Sequence, residues 1–225
     1  EIAVIPRDDK FRILARSVSP EANRKTWEGF RNITFRTLIE RCAAECGMTG
    51  KVFGIEDNLV IPYALRQEEG CTAFMDRIAR AEGFKLKAFN GAFRAVYLSY
   101  AESMEPSYRL TLDAKQDGTN YKRRGNLKYS GLTVMSPWAK ATARDYAAPG
   151  NNVRVITDLP AENNIQAGRW ARNLLWEHNR QAEEITVEQR LNTAMSALSR
   201  VNIDGGTDMD GEWIIEEAEH DLIIS

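Results

Sequence analysis

The sequence predicts an α+β protein, and three observations carry that prediction. Residues Asn32 to Tyr100 read as helix, extended segment, helix and hairpin, with a stop or turn residue at each junction. Beyond Glu102 the pattern changes to short alternating segments, which mark strands, interrupted by one amphipathic run from Asp158 to Arg180. At 225 residues, 43% hydrophobic and 28% charged, the chain is long and apolar enough to bury a core.

Bulk properties exclude several classes. A formal net charge of −2 lacks the basic excess of a protein organised around nucleic acid. No apolar run reaches the roughly 18 residues that span a bilayer. The start, E-I-A-V-I-P-R-D-D-K, has no basic region followed by a longer apolar core, so it does not read as a signal peptide. Opening on Glu1 rather than methionine leads us to expect further residues upstream. Three cysteines, Cys42, Cys46 and Cys71, are too few and odd in number for a disulfide framework, which fits a reducing cytosol. Cys42 and Cys46 share a helix face, but His178 and His220 are remote, so we read small buried thiols rather than metal ligands.

In chain order, Phe11 to Ser17 alternates and predicts a strand. Val18 to Arg31 breaks into Ser, Pro, Asn and Gly and reads as a loop anchored by Trp27 and Phe30. The first helix starts at an N-cap supplied by Asn32 or Thr34 and stops at Gly47. Its stripe is Phe35, Leu38, Ile39, Cys42, Ala43 and Cys46, while Arg36, Glu40, Arg41 and Glu45 face out. Asp57 to Pro62 is extended, with Pro62 unsuited to a central strand. The second helix runs from about Glu69 to Ala81, burying Phe74 and Ile78 and ending at Gly83, with Asp76 and Arg80 as an i, i+4 pair.

A hairpin follows. Phe84 to Phe89 alternates, Asn90-Gly91 turns the chain, and Phe93, Ala95 and Tyr97 or Val96 and Leu98 return as the partner strand. Tyr108 to Ala114 predicts a strand, and Gln116 to Gly125 a polar loop with the basic triplet Lys122, Arg123 and Arg124. Leu127 to Val134, Ala139 to Tyr146 and Val153 to Thr157 read as further strands. The third helix spans Asp158 to Arg180, with Ile165, Ala167, Trp170, Ala171, Leu174 and Leu175 inward. Glu183 to Leu191, Ser199 to Ile203 and Gly211 to His220 close the chain as strands. Asp204 to Gly211 resembles a calcium loop only loosely, lacking the glutamate in register, and reads as a turn.

Reactive constellations are sparse. The sequence holds no G-x-S-x-G, H-E-x-x-H, phosphate-binding loop or dinucleotide fingerprint. Glu183 with Glu184, or Glu68 with Glu69, would be the carboxylates to consider for a glycosidase. Adjacent strand residues point to opposite faces, so neither pair enters one pocket. We therefore assign no catalytic, cofactor or metal residue, and leave the binding surface open.

The order of motifs resembles a known family. Trp27, Phe30 and Asn32-Ile33-Thr34 precede an apolar helix and a glycine. Then come P-Y-A-L-R-Q-E-E (Pro62 to Glu69) and F-M-D-R-I-A (Phe74 to Ala79) before Gly83 and a hairpin on Asn90-Gly91. This is similar to the bacteriophage late control D family, tail baseplate hub proteins related in fold to the hub part of the type VI secretion spike protein. Glu69, Phe74, Arg77, Ala79 and Gly83 match in register, and the second half adds Ala167, Ala171 and a close at Asp210, Gly211, Trp213, Ile215 and His220. Gly70-Cys71 stands where the family often has Ser-Asp, and Gln67 sits one position late.

The resemblance implies β-barrel-like hub domains with an inserted helix–helix–hairpin unit. The expected division is 1–31, the end of an upstream β domain and linker; 32–100, the inserted unit; and 101–225, a barrel-like domain with one long helix. It also implies a non-enzymatic homotrimeric ring without cofactor, assembled in the bacterial host cytoplasm and carried in the virion tail of a contractile or other tail machine. Partners would be the tail tube protein, the spike protein and other baseplate proteins, with no membrane segment and no specific nucleic-acid binding. The alternative expectation is a tail-associated peptidoglycan hydrolase, and a third is a nucleic-acid module using Lys122 to Arg124.

Overall fold

The computed structural model describes residues 2–7, 10–15, 20–55, 59–111, 119–124, 127–190, 192–193, 195–205 and 208–220, those before Ala22 by backbone alone. Strands β1 (Ile2–Arg7) and β2 (Lys10–Ala15) form an antiparallel hairpin. A 3-10 turn at Pro20–Asn23 leads into β3 (Thr26–Thr34), α1 (Phe35–Glu45), β4 (Thr49–Phe53) and β5 (Val60–Glu69). Then come α2 (Cys71–Ala81), β6 (Phe84–Phe89), β7 (Ala92–Tyr97) and the short α3 (Leu98–Ser103). The second half holds β8 (Tyr108–Thr111), β9 (Asn120–Arg123), β10 (Gly131–Met135), β11 (Lys140–Arg144) and β12 (Val153–Ile156). It finishes with α4 (Asn164–Arg180), β13 (Glu183–Thr186), β14 (Arg200–Asp204) and β15 (Gly211–Ile214).

The fold is mixed α+β, as the sequence predicts, but its sheets are small. Each has two or three strands, and no closed barrel occurs among the described residues. β3 pairs with β5 as a long antiparallel ribbon, and β4 lies parallel to β7, which continues to β6 across the hairpin. Behind that sheet and ribbon sit α1 and α2, closing a core that includes Phe30, Phe35, Leu38, Ile39, Phe74, Ile78 and Phe84. A second core gathers Trp170, Ala171 and Leu175 of α4 onto Leu132 and Val134 of β10. A third lies between β8, β14 and β15, around Leu110, Val201 and Ile203.

Local chemistry explains where elements begin. Between the two candidate caps the structure selects Thr34, whose hydroxyl accepts from the Thr37 N–H at 3.1 Å while its backbone is extended. Asn32 instead takes a positive φ of 49° within β3, opposite Pro62 in a ribbon with no further strand. That position tolerates a residue with no N–H to give. On the inner face of β7 the buried set is Phe93 and Ala95, and Leu98 leaves the strand for α3.

Several boundaries differ from expectation. The loop expected over Val18 to Arg31 is a strand from Thr26 onward. Phe30 is buried, but Trp27 points away from the core and is 64% exposed rather than an anchor. Glu69 ends β5, so the second helix starts two residues later, at Cys71. α4 begins at Asn164, because Asn163 rather than the Pro160 region caps it, accepting from the Gln166 N–H at 2.9 Å. Ile165, in its first turn, faces solvent at 80% exposure instead of the core. The basic triplet belongs to a strand and its end, paired with β13, not to a loop. The strands expected at Leu127 to Val134, Ala139 to Tyr146, Glu183 to Leu191 and Gly211 to His220 are shorter or shifted. β4 and α3 lie where no element is expected. Parts of the expected elements at 16–19, 57–58, 112–118, 125, 191 and 206–207 lie outside the described residues.

Candidate functional site

One set of buried ionisable side chains lies at the seam between α2 and α4. Glu82 follows the last residue of α2 and is 1% exposed. A buried carboxylate at a helix C-terminus is doubly unfavourable, since burial removes its water and the helix dipole repels it. α4 supplies the compensation. Arg169 donates twice to Glu82, from Nε at 2.6 Å and from Nη2 at 2.9 Å, and the Trp170 indole N–H donates at 2.8 Å. Burial pulls the Arg169 guanidinium down, but contact with Glu82 outweighs it and leaves the group above its ordinary value. Asn173 donates to the Ala81 carbonyl at 3.0 Å, satisfying one of the open C-terminal carbonyls of α2.

One turn further along α4, Glu177 is also buried. It accepts from Arg80 Nε at 3.0 Å and lies 3.3 Å from Lys85 Nζ. Lys85 reaches Glu216 at 2.7 Å, and Arg180 approaches the same carboxylate at 3.9 Å. Arg80 therefore turns to Glu177 and not to Asp76, because the buried acid on α4 is the stronger claimant. At the helix end Asn179 closes a further set of bonds, accepting from the Tyr129 N–H at 2.9 Å and donating to the Tyr129 carbonyl and to Asp145, both at 2.8 Å.

A second buried polar centre serves the first core. Arg66 is 1% exposed and donates to the Glu69 carbonyl at 3.0 Å, the Arg24 carbonyl at 2.8 Å and Glu45 at 2.6 Å. Beside it the three thiols are buried, and Cys71 Sγ donates to the Cys42 carbonyl at 2.7 Å. The Cys42 contact and burial push the Cys71 thiol far up, while burial first, then Cys71, pushes Cys46 up to about 12. Such thiols stay protonated at neutral pH and are poor nucleophiles and ligands.

The residues singled out from sequence are dispersed by the fold. Across β9 and β13, Arg123 pairs with Glu183 at 3.4 Å and Arg124 approaches Glu184 at 4.0 Å, with Lys128 also 3.5 Å from Glu183. The basic triplet and the adjacent glutamates thus largely answer each other. Glu69 is engaged by Arg77. His178 packs on Tyr129 with ring centroids 4.4 Å apart, remote from the thiols in both sequence and core. The turn from Asp204 to Gly211 is held by Asp210, which accepts from the Gly205 N–H at 2.9 Å.

Sequence reasoning missed Arg66, Glu82, Glu177 and Asn179. Glu82 alone carried a usable signal, a carboxylate directly before the stop glycine of a helix, where a cation is the ordinary choice. What this arrangement does chemically is hold two helices together; each of these buried polar residues is bonded within the chain.

No family model matches the sequence, and no curated protein matches it. Solved structures do. The tail protein from Neisseria meningitidis MC58 has a TM-score of 0.58 to this chain at 13% identity, covering 88% of this chain and 63% of that one. The 43 kDa tail protein of prophage MuSo2 from Shewanella oneidensis has a TM-score of 0.58 at 14% identity, covering 83% of this chain and 58% of that one. The chain thus spans about three fifths of the length of these two structures and shares their fold over most of its own.

Proposed function

We propose that the chain is a structural protein of a phage tail, and specifically a baseplate hub component that joins tail tube to spike as a homotrimeric ring. The observation that carries this reading is the fold held in common with two tail proteins over 88% and 83% of the chain. The interior agrees with a scaffold: its buried acids and arginines are spent on docking α4 against α2 and on tying β5 to α1. In this reading the chain divides at 1–31, 32–100 and 101–225, with Thr26 to Arg31 joined to the middle unit through β5. Tail tube, spike and other baseplate proteins are its partners, assembled in the host cytoplasm before incorporation into the virion.

The test is direct. Tail particles from the host encoding this chain should contain it, and electron microscopy of a tagged copy should place a threefold ring at the tube–spike junction. A stable monomer that never enters tail particles would overturn the reading. Lysis of bacterial cell walls in a zymogram, abolished by Glu183→Gln or Glu69→Gln, would replace it with the hydrolase.

A further inference from the structure

We propose that the face of the β4–β7–β6 sheet that carries Lys51, Arg94 and Lys87 is a docking surface for single-stranded nucleic acid, bound without sequence preference. This goes beyond the tail role and does not depend on it.

Strand register creates the surface. Lys51 of β4 stands directly opposite Arg94 of β7, and Arg94 directly opposite Lys87 of β6. Three cations therefore form a row across adjacent strands, where like charges are destabilising unless an anion lies over them. None of the three strands contains an acidic residue to supply one. The fourth cation on this face, Lys85, shows the contrast, because Glu177 and Glu216 both reach it. Lys51, Lys87 and Arg94 take part in none of the described ion pairs. The hydrogen bond described for Lys87 is a long one, to the Ala197 carbonyl at 3.4 Å. Arg94 Nε is buried with no hydrogen-bond partner.

Aromatic rings flank the row and decide between polyanions. Phe53 and Phe89 lie on the same face by register, 41% and 53% exposed, at diagonally opposite corners. Strand spacing and rise put them roughly 16 Å apart. The Phe89 ring holds the cations in place, with the Arg94 guanidinium 5.2 Å and the Lys87 ammonium 5.7 Å from its centroid. Cations between exposed rings suit a strand whose phosphates meet the row and whose bases find apolar surface at either end. An acidic peptide answers the charge but not the rings. In a duplex the bases are already stacked, so the rings are left unused.

The experiment is fluorescence anisotropy with a labelled, mixed-sequence DNA strand of about 20 nucleotides, titrated with the full chain between about 50 and 200 mM salt. We expect saturable binding with a slope of log affinity against log salt near −2, as three phosphate contacts at about −0.7 each require. Lys51→Glu with Lys87→Glu should weaken binding by about tenfold or more, and Lys122→Glu with Arg123→Glu should leave it unchanged. Lys51→Gln with Lys87→Gln gives the same readout should the reversed charges prevent folding. Absence of saturable binding at low salt, equal weakening by the Lys122 and Arg123 control, duplex bound as tightly as the single strand, or a face that takes polyglutamate in place of DNA would each overturn the proposal.

Discussion

Trp170 and Trp27 show how much one residue type can differ in consequence. Trp170 is fully buried, packs in the α4 core and gives its indole N–H to Glu82, so Trp170→Ala should cost about 3–5 kcal/mol in urea unfolding. Trp27 projects from the outer side of the β3–β5 ribbon, and Trp27→Ala should change the same measurement by no more than about 0.5 kcal/mol. Glu82→Ala should cost about 3–5 kcal/mol, because it strips the partly buried Arg169 guanidinium of its carboxylate. A double-mutant cycle with Arg169→Met should recover part of that loss. The thiols give a pH prediction whose sign follows from the direction of the shift. Cys46 moves from an ordinary value of 9.0 up to about 12, so the folded chain keeps a proton that the unfolded chain has released. Its contribution is complete below about pH 9 and falls as pH rises toward 12. Urea midpoints of wild type and Cys46→Ala, taken in reducing buffer from about pH 8 to 11, should converge with increasing pH; parallel curves would contradict the assignment.

Elements were legible in proportion to how local their signals are. The stripes of α1 and α2 and the Asn90-Gly91 hairpin follow from spacing and turn chemistry within a dozen residues, and the structure carries them. β3 and β5 do not announce themselves. Their inner residues pack on helices and their outer face is mixed, so Thr26 to Arg31 looks like a loop until its partner is known. The row of Lys51, Arg94 and Lys87 was illegible for the same reason, since only parallel pairing of β4 with β7 brings residue 51 beside residue 94. That pairing depends on a close approach at Gly50. A Cβ there would lie 2.7 Å from the Glu40 Cα, against backbone that has no side chain to move aside. Gly50→Ala should therefore push β4 away from α1 and cost about 1–3 kcal/mol, read as a lowered melting temperature. Caps act at the same scale: Asn163→Ala should cost about 1 kcal/mol by freeing the Gln166 N–H at the start of α4.

At the scale of the whole molecule, three cores are joined through polar seams. Helix α4 touches both halves of the chain. Its Glu177 draws on Arg80 and Lys85, and Lys85 in turn holds Glu216 near the end of the described chain. Glu177→Gln should therefore lower stability and also loosen the segment around Glu216, which hydrogen exchange at residues 214–217 would register as faster opening. An exchange rate there equal to wild type would mean that Lys85 and Arg180 hold Glu216 without help from Glu177. Such long-range ties were hidden in the sequence because their partners are spaced by no motif. Spacing and turn chemistry located the helices and the hairpin, and two tail proteins share the fold, whereas the barrels that the family resemblance led us to expect are not closed among the described residues.

The Glu82–Trp170 contact also sets a clock. The two residues are 88 positions apart, so at roughly 5–20 residues per second a ribosome needs roughly 4–18 s to deliver the indole and guanidinium after the acid has been made. During that interval the nascent α2 ends in a carboxylate that only water can satisfy, and burial of its last turn must wait. The chain's first half thus emerges with a wet, open edge at Glu82, and synthesis of α4 is the event that shuts it.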